Sequence, residues 1–104
     1  MNSKHLEAFE EFAEKVQEEF GESLKKLVLY GSVARGEETE ESDVDVFAVV
    51  ETEEQKQKLE QMAFEFGVDN NLLFPPNVKT VERFNHRRDH PFIRTVLEEG
   101  VEYA

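Results

Sequence analysis

Two short hydrophobic runs limit what this chain can fold into. In "LKKLVLY" (24–30) and "VDVFAVV" (44–50) apolar side chains occupy consecutive positions. Alternation would mean a strand with one wet face, whereas consecutive apolar residues mean strands covered on both. Helices must therefore lie on both sides of a small sheet. The runs are joined by a Gly-Ser turn, Gly31-Ser32, and an acidic loop, "GEETEES".

Spacing locates the helices. From Ser3, the residues Leu6, Phe9, Phe12, Val16 and Phe20 recur in steps of three and four, one stripe of a helix that Gly21 stops. Thr52 is placed to cap a second helix with the stripe Leu59, Met62, Ala63 and Phe66, ending at Gly67. "VDNNLLF" (68–74) reads as a third strand, cut off by Pro75-Pro76. Thr80 opens a short helical segment through Phe84. Pro91 suits the first turn of a last helix, with Phe92, Ile93, Val96 and Leu97 inward and Gly100 at its end. "VEYA" allows one further small strand. This order over residues 1–104 predicts a single domain of the α/β (α+β) class, a sandwich of few strands and packed helices.

Charge and composition narrow the function. The net charge of −12, from 24 acidic and 12 basic side chains, disfavours nonspecific attraction to nucleic-acid backbones, which needs basic patches. Such acidity marks either a salt-adapted protein or an ordinary solvated surface. The acid is mostly Glu and Lys is not scarce, which fits the second better. The absence of cysteine excludes disulfides and thiolate metal sites and is compatible with a cytoplasmic location. "MNSKHLEAFEEF" lacks a basic start followed by an apolar run, and the longest uninterrupted hydrophobic stretch, "VFAVV", is far below a membrane span. A soluble protein with no membrane association is expected.

Gly31-Ser32 after a buried strand lets the backbone turn sharply and leaves amide groups and the Ser32 hydroxyl free to face an anion. It also suits a plain turn. Asp43 and Asp45, at i and i+2 on a strand, share a face with Cα atoms about 6 to 7 Å apart. Two carboxylates about 5 Å apart repel by roughly 3 kcal/mol at an effective dielectric near 20. Arg35, an N-cap role for Ser42 or Asp43, solvent at the strand end, or hard divalent ions would each relieve that repulsion.

The conjunction is more specific than its parts. "GS", ten intervening residues, then "DVD" among apolar residues resembles the signature of the polymerase beta-like nucleotidyltransferase superfamily. "GSVARGEETEESDVDVFAVV" is especially similar to its minimal, single-domain members, and the closing "HPFIRTVLEEGVEYA" extends the likeness nearly end to end. The resemblance implies a mixed β-sheet with helices packed against it, the nucleotidyltransferase fold. It implies transfer of a nucleoside monophosphate, AMP from ATP, with release of pyrophosphate and with Mg²⁺ as cofactor. Phosphate-binding roles then fall on Gly31, Ser32 and Arg35, and metal-binding and catalytic roles on Asp43 and Asp45.

The family usually draws a third carboxylate from a neighbouring strand. Asp69 is the candidate here; it is equally placed to make a turn after Gly67, bonding its own backbone. Arg35 is equally suited to a phosphate, to the Asp pair or to a surface salt bridge. The glutamates of the 37–41 loop read as a solvated face, His90 as a helix-start residue, and Phe84 and Phe92 as core. Minimal members are often paired with a HEPN-domain ribonuclease in toxin–antitoxin modules, which makes a protein acceptor the expectation. The alternative is a catalytically weak or inactive module that neutralises such a partner by binding, its acidic surface covering a basic one.

Overall fold

The computed structural model describes residues 3–104. Helix α1 spans Lys4–Phe20, and a 3-10 turn at Gly21–Ser23 leads into β1, Leu24–Tyr30. Helix α2, Gly31–Arg35, follows without a break, and β2 runs Asp45–Val50. Then come α3 (Glu53–Asn70), β3 (Pro76–Thr80), α4 (Val81–His86), α5 (Pro91–Glu99) and β4 (Val101–Glu102). The strands form one sheet in the order β3-β2-β1-β4. β1 is antiparallel to β2 and β4, and β2 is parallel to β3, the crossover being α3. The sheet is mixed, as the resemblance implied.

Both hydrophobic runs are covered on two faces. Val44, Val46, Ala48 and Val50 pack with Leu27 and Leu29 against Phe9, Phe12, Val16, Leu59, Ala63 and Phe66 of α1 and α3. The other face carries a smaller cluster, Val28, Phe47 and Val49 against Phe84, Ile93 and Val96 of α4 and α5. Phe12, Phe66 and Phe74 meet at tilted or edge-on angles with centroids 5.3 to 5.5 Å apart, a favourable aromatic arrangement.

Three expectations need correction. Helix α3 does not stop at Gly67. It continues to Asn70 and ends on Asn71, a left-handed cap with φ of 55°. Residues 68–74 are therefore the last turn of α3 and the loop after it, and the third strand lies beyond the prolines. Pro76 is tolerated because it opens an edge strand, the position where a missing N–H costs least. Phe92 and Leu97 are not inward: they are 39% and 37% exposed.

Candidate active site

The turn after β1 is built by Gly31. Its φ is 78°, a conformation that disfavours any side chain, and a β-carbon there would overlap the Asp45 carboxylate. Glycine thus lets the turn and Asp45 share one place. Ser32 is half-buried in the next position. Ser3, Thr52, Thr80 and His90 each cap a helix with a side chain, but α2 has no such cap. The first amides of Gly31, Ser32 and Val33 are left without a side-chain acceptor.

Asp45 is the first residue of β2 and pairs in register with Tyr30. Asp43 lies just before the strand, exposed. Partial burial, then the negative charge of Asp43, push the Asp45 carboxyl above its ordinary range, while Arg35 pulls the other way. The charge of Asp43 thus adds to burial in disfavouring the ionised form of Asp45. Arg35 is exposed and its Nε donates to Glu37 at 2.6 Å, so it is engaged in a surface ion pair while its charge is still felt at Asp45. Tyr30 is raised by burial and by Asp45, and lowered by the Asn77 side chain at its hydroxyl.

Asp69 does not join this group. It sits in the last turn of α3, exposed to solvent. Among the described residues no three His, Asp or Glu side chains are clustered as metal ligands. The strand beside β2 is Pro76–Thr80, and its residue in register with Phe47 is Asn77, on the same face as Asp45. Where the family usually supplies a third carboxylate, this strand supplies a carboxamide. Sequence reasoning missed Asn77 and Tyr30. Tyr30 directly precedes Gly31-Ser32, a position from which it was readable; Asn77 required the strand to be placed after the prolines.

The acidic loop is less uniform than a solvated face. The Ser3 hydroxyl, then its own backbone and His5, hold the Glu38 carboxyl below its usual range. Glu40, Glu41, Ser42 and Asp43 form one wall of a cleft of about 650 Å³. The other walls include Phe64, Val68 and Leu73, which are 70%, 65% and 67% exposed. Exposed apolar side chains gathered at a carboxylate site are unusual in a monomeric protein surface.

A model of the nucleotidyltransferase domain matches residues 9–103. The chain belongs to that family. It is 35% identical over 95 residues to MJ0604 of Methanocaldococcus jannaschii, covering 89% of this chain and 91% of that one. It is 32% identical over 102 residues to MJ0141 of the same organism, covering 93% and 96%. Both are named as protein adenylyltransferases. Among solved structures, a toxin–antitoxin crystal structure with AMP-PNP superimposes with a TM-score of 0.58 at 15% identity, over 89% of this chain and 70% of that one. That likeness shows the nucleotidyltransferase fold. The family is enzymatic, and the chain is a nucleotidyltransferase. Among the described residues no helix is long and apolar enough to cross a membrane.

Proposed function

We propose that this nucleotidyltransferase moves AMP from ATP to a hydroxyl of a partner protein, with Mg²⁺ held by Asp43 and Asp45. The observation that carries the reading is the packing of Gly31 against the Asp45 carboxylate, which joins a turn suited to phosphate to a pair suited to a cation. Mg²⁺ is commonly bound by one or two carboxylates with substrate phosphates completing the shell, and the charge of Asp43 that adds to burial in raising the Asp45 carboxyl is one a cation would offset. When bound, the ion would offset triphosphate charge and polarise the phosphorus under attack.

The chain's own residues then have distinct roles. Amides at Gly31, Ser32 and Val33 and the Ser32 hydroxyl hold phosphate oxygens. Arg35 offsets the charge around Asp45. The new bond joins the acceptor oxygen to the α-phosphorus as the bond to pyrophosphate breaks. Asp69 is left outside the proposed site, since α3 carries it to solvent.

Support for a protein acceptor comes from the names of the two archaeal relatives and from the cleft beside Asp43. Its apolar floor and the Glu40–Glu41 rim fit a partner segment with apolar side chains flanked by Lys or Arg. A HEPN-domain toxin is the proposed partner, in keeping with the toxin–antitoxin origin of the structural neighbour. The test is single-turnover transfer of labelled AMP to that protein, with Mg²⁺ and with chelator. Ser32→Ala should weaken ATP binding by about 1 to 2 kcal/mol, the scale of a hydrogen bond to a charged group.

One observation favours a second reading. With Asn77 on β3, that strand carries no carboxylate to take the acceptor's proton. A module that binds and covers its partner without modifying it needs no such group. Wild-type protein that binds the partner tightly but transfers no label across a panel of nucleotides and metals would establish it.

A further inference from the structure

A second, smaller cavity of about 160 Å³ is lined by Lys79, Arg83, Arg87, His90, Phe92 and Ile93. It lies where β3 passes into α4 and where α5 begins. Lys79 reaches it from the sheet, because Asn77 and Lys79 stand opposite Phe47 and Val49 on the face that α4 and α5 cover. Arg83 and Arg87 are four residues apart along α4 and its cap, so one helical turn brings them to the same side. His90 accepts the Phe92 amide on Nδ1 at 3.2 Å. An accepting Nδ1 puts the ring proton of neutral His90 on Nε2, where it is available to donate.

This cavity gathers basic side chains in a chain that is acidic overall. Acidic side chains outnumber basic ones 24 to 12. Lys25, Lys26, Arg35, Lys56 and Lys58 each stand within ion-pair distance of a glutamate, whereas, among the described residues, Lys4, Lys15, Arg88 and Arg94, scattered elsewhere, do not. Among the described residues no carboxylate pairs with Lys79, Arg83 or Arg87, although Glu82 and Asp89 are close in sequence. Lys79 is half-buried and Arg83, Arg87 and His90 are exposed, so solvent screens much of their mutual repulsion and an anion among them relieves the remainder. The volume selects the anion. It is below the ~300 to 1,000 Å³ typical of pockets for drug-sized ligands and is closer to the size of a phosphate or diphosphate than to that of a whole nucleotide.

We propose that Lys79, Arg83, Arg87 and His90 form a metal-independent binding site for a phosphate or diphosphate group. Guanidinium forks match phosphate oxygens two at a time, and the lysine adds a point charge from the sheet. The lining shares no residue with Gly31, Ser32, Asp43 or Asp45, so the site stands whether or not the transfer reading does. Phe92 connects the two regions: it lines the cavity and its ring packs edge-on against Tyr30, the register partner of Asp45, with centroids 5.8 Å apart. The phosphate group therefore has two sources, the tail of a bound nucleotide or a free anion.

Calorimetric titration of inorganic pyrophosphate into the full chain, in EDTA, tests this. The wild-type protein should bind it without added metal. Arg83→Gln with Arg87→Gln, and separately Lys79→Gln, should each weaken binding by about tenfold or more, the scale of one charge-assisted hydrogen bond. Thermal melts should show these variants folded. Lys25→Gln with Lys58→Gln, which removes cations elsewhere on the surface, should leave binding unchanged. Displacement of pyrophosphate by ATP in EDTA would identify the nucleotide tail as the occupant, and failure to displace it would identify a free anion; both support the site. No binding by the wild-type protein, equal affinity in the cavity variants, or an equal loss in the Lys25 and Lys58 variant would overturn it.

Discussion

Gly31 and Asp45 occupy adjoining positions that admit no β-carbon between them. Alanine at 31 must therefore displace the Asp45 carboxylate as well as adopt a φ near 78°. Left-handed backbone costs an L-residue about 1 to 2 kcal/mol. Gly31→Ala is expected to fold with lowered stability and to lose Mg²⁺-dependent ATP binding. Calorimetry of ATP with and without Mg²⁺, beside a thermal melt, separates the two effects; unchanged affinity would detach Gly31 from the site.

The Asp pair should stabilise the protein when it is removed. The folded-state pKa of Asp45 is raised above its unfolded value by burial and by Asp43. For an acid this means that the native state binds more protons in the window between the two values, so stability falls as pH rises through it. At neutral pH the ionised carboxylate is a cost. Asp45→Asn should raise the melting temperature in chelator, on a scale of about 4 to 8 °C per kcal/mol in a domain of this size, and flatten that pH dependence. The same variant should lose the thermal gain that Mg²⁺ with ATP gives the wild-type protein.

Asn77→Asp restores a carboxylate on the strand beside Asp45. With a third oxygen ligand and a base available, Mg²⁺ affinity and AMP transfer should both rise, transfer by up to the ~100-fold or more typical of a general base. The added charge should lower stability in chelator. Asp69→Asn should change neither metal binding nor transfer, because the side chain faces solvent. A measured loss of transfer in Asp69→Asn would reverse this assignment.

Phe64→Ser and Leu73→Ser remove apolar surface that is mostly exposed, so each should leave the melting temperature nearly unchanged. If the cleft seats the acceptor protein, the same changes should raise its KM while leaving ATP affinity intact. Steady-state transfer at varied acceptor concentration checks this, and an unchanged KM would place the partner elsewhere.

The two strands, the Gly-Ser turn and Asp43 and Asp45 were legible because each rests on local chemistry: consecutive apolar residues, a glycine before a serine, and carboxylates at strand spacing. The third strand was not. Gly67 looked like a helix end, yet its missing side chain serves a close approach instead, since a β-carbon there would lie 2.6 Å from the Leu72 carbonyl oxygen. The helix runs on, carries Asp69 outward and leaves the strand to begin at a proline. Helix α2 was also hidden, since five residues show no periodicity. Phe92 reads as core by type, and only its edge-on contact with Tyr30 shows why it sits at the margin.

The sheet's two layers are unequal: among the described residues, nineteen buried ones form the cluster with α1 and α3, and six form the cluster with α4 and α5. Local opening is cheapest where the fewest apolar contacts must separate. Amide protons of α4 and α5 should thus exchange with solvent through partial opening, while those of α1, β1 and β2 wait for the whole domain to unfold. The thin layer is also the one facing Asp45, Tyr30 and Asn77. Evolution can therefore rework that side, altering which molecules the enzyme admits, while the thick layer preserves the scaffold.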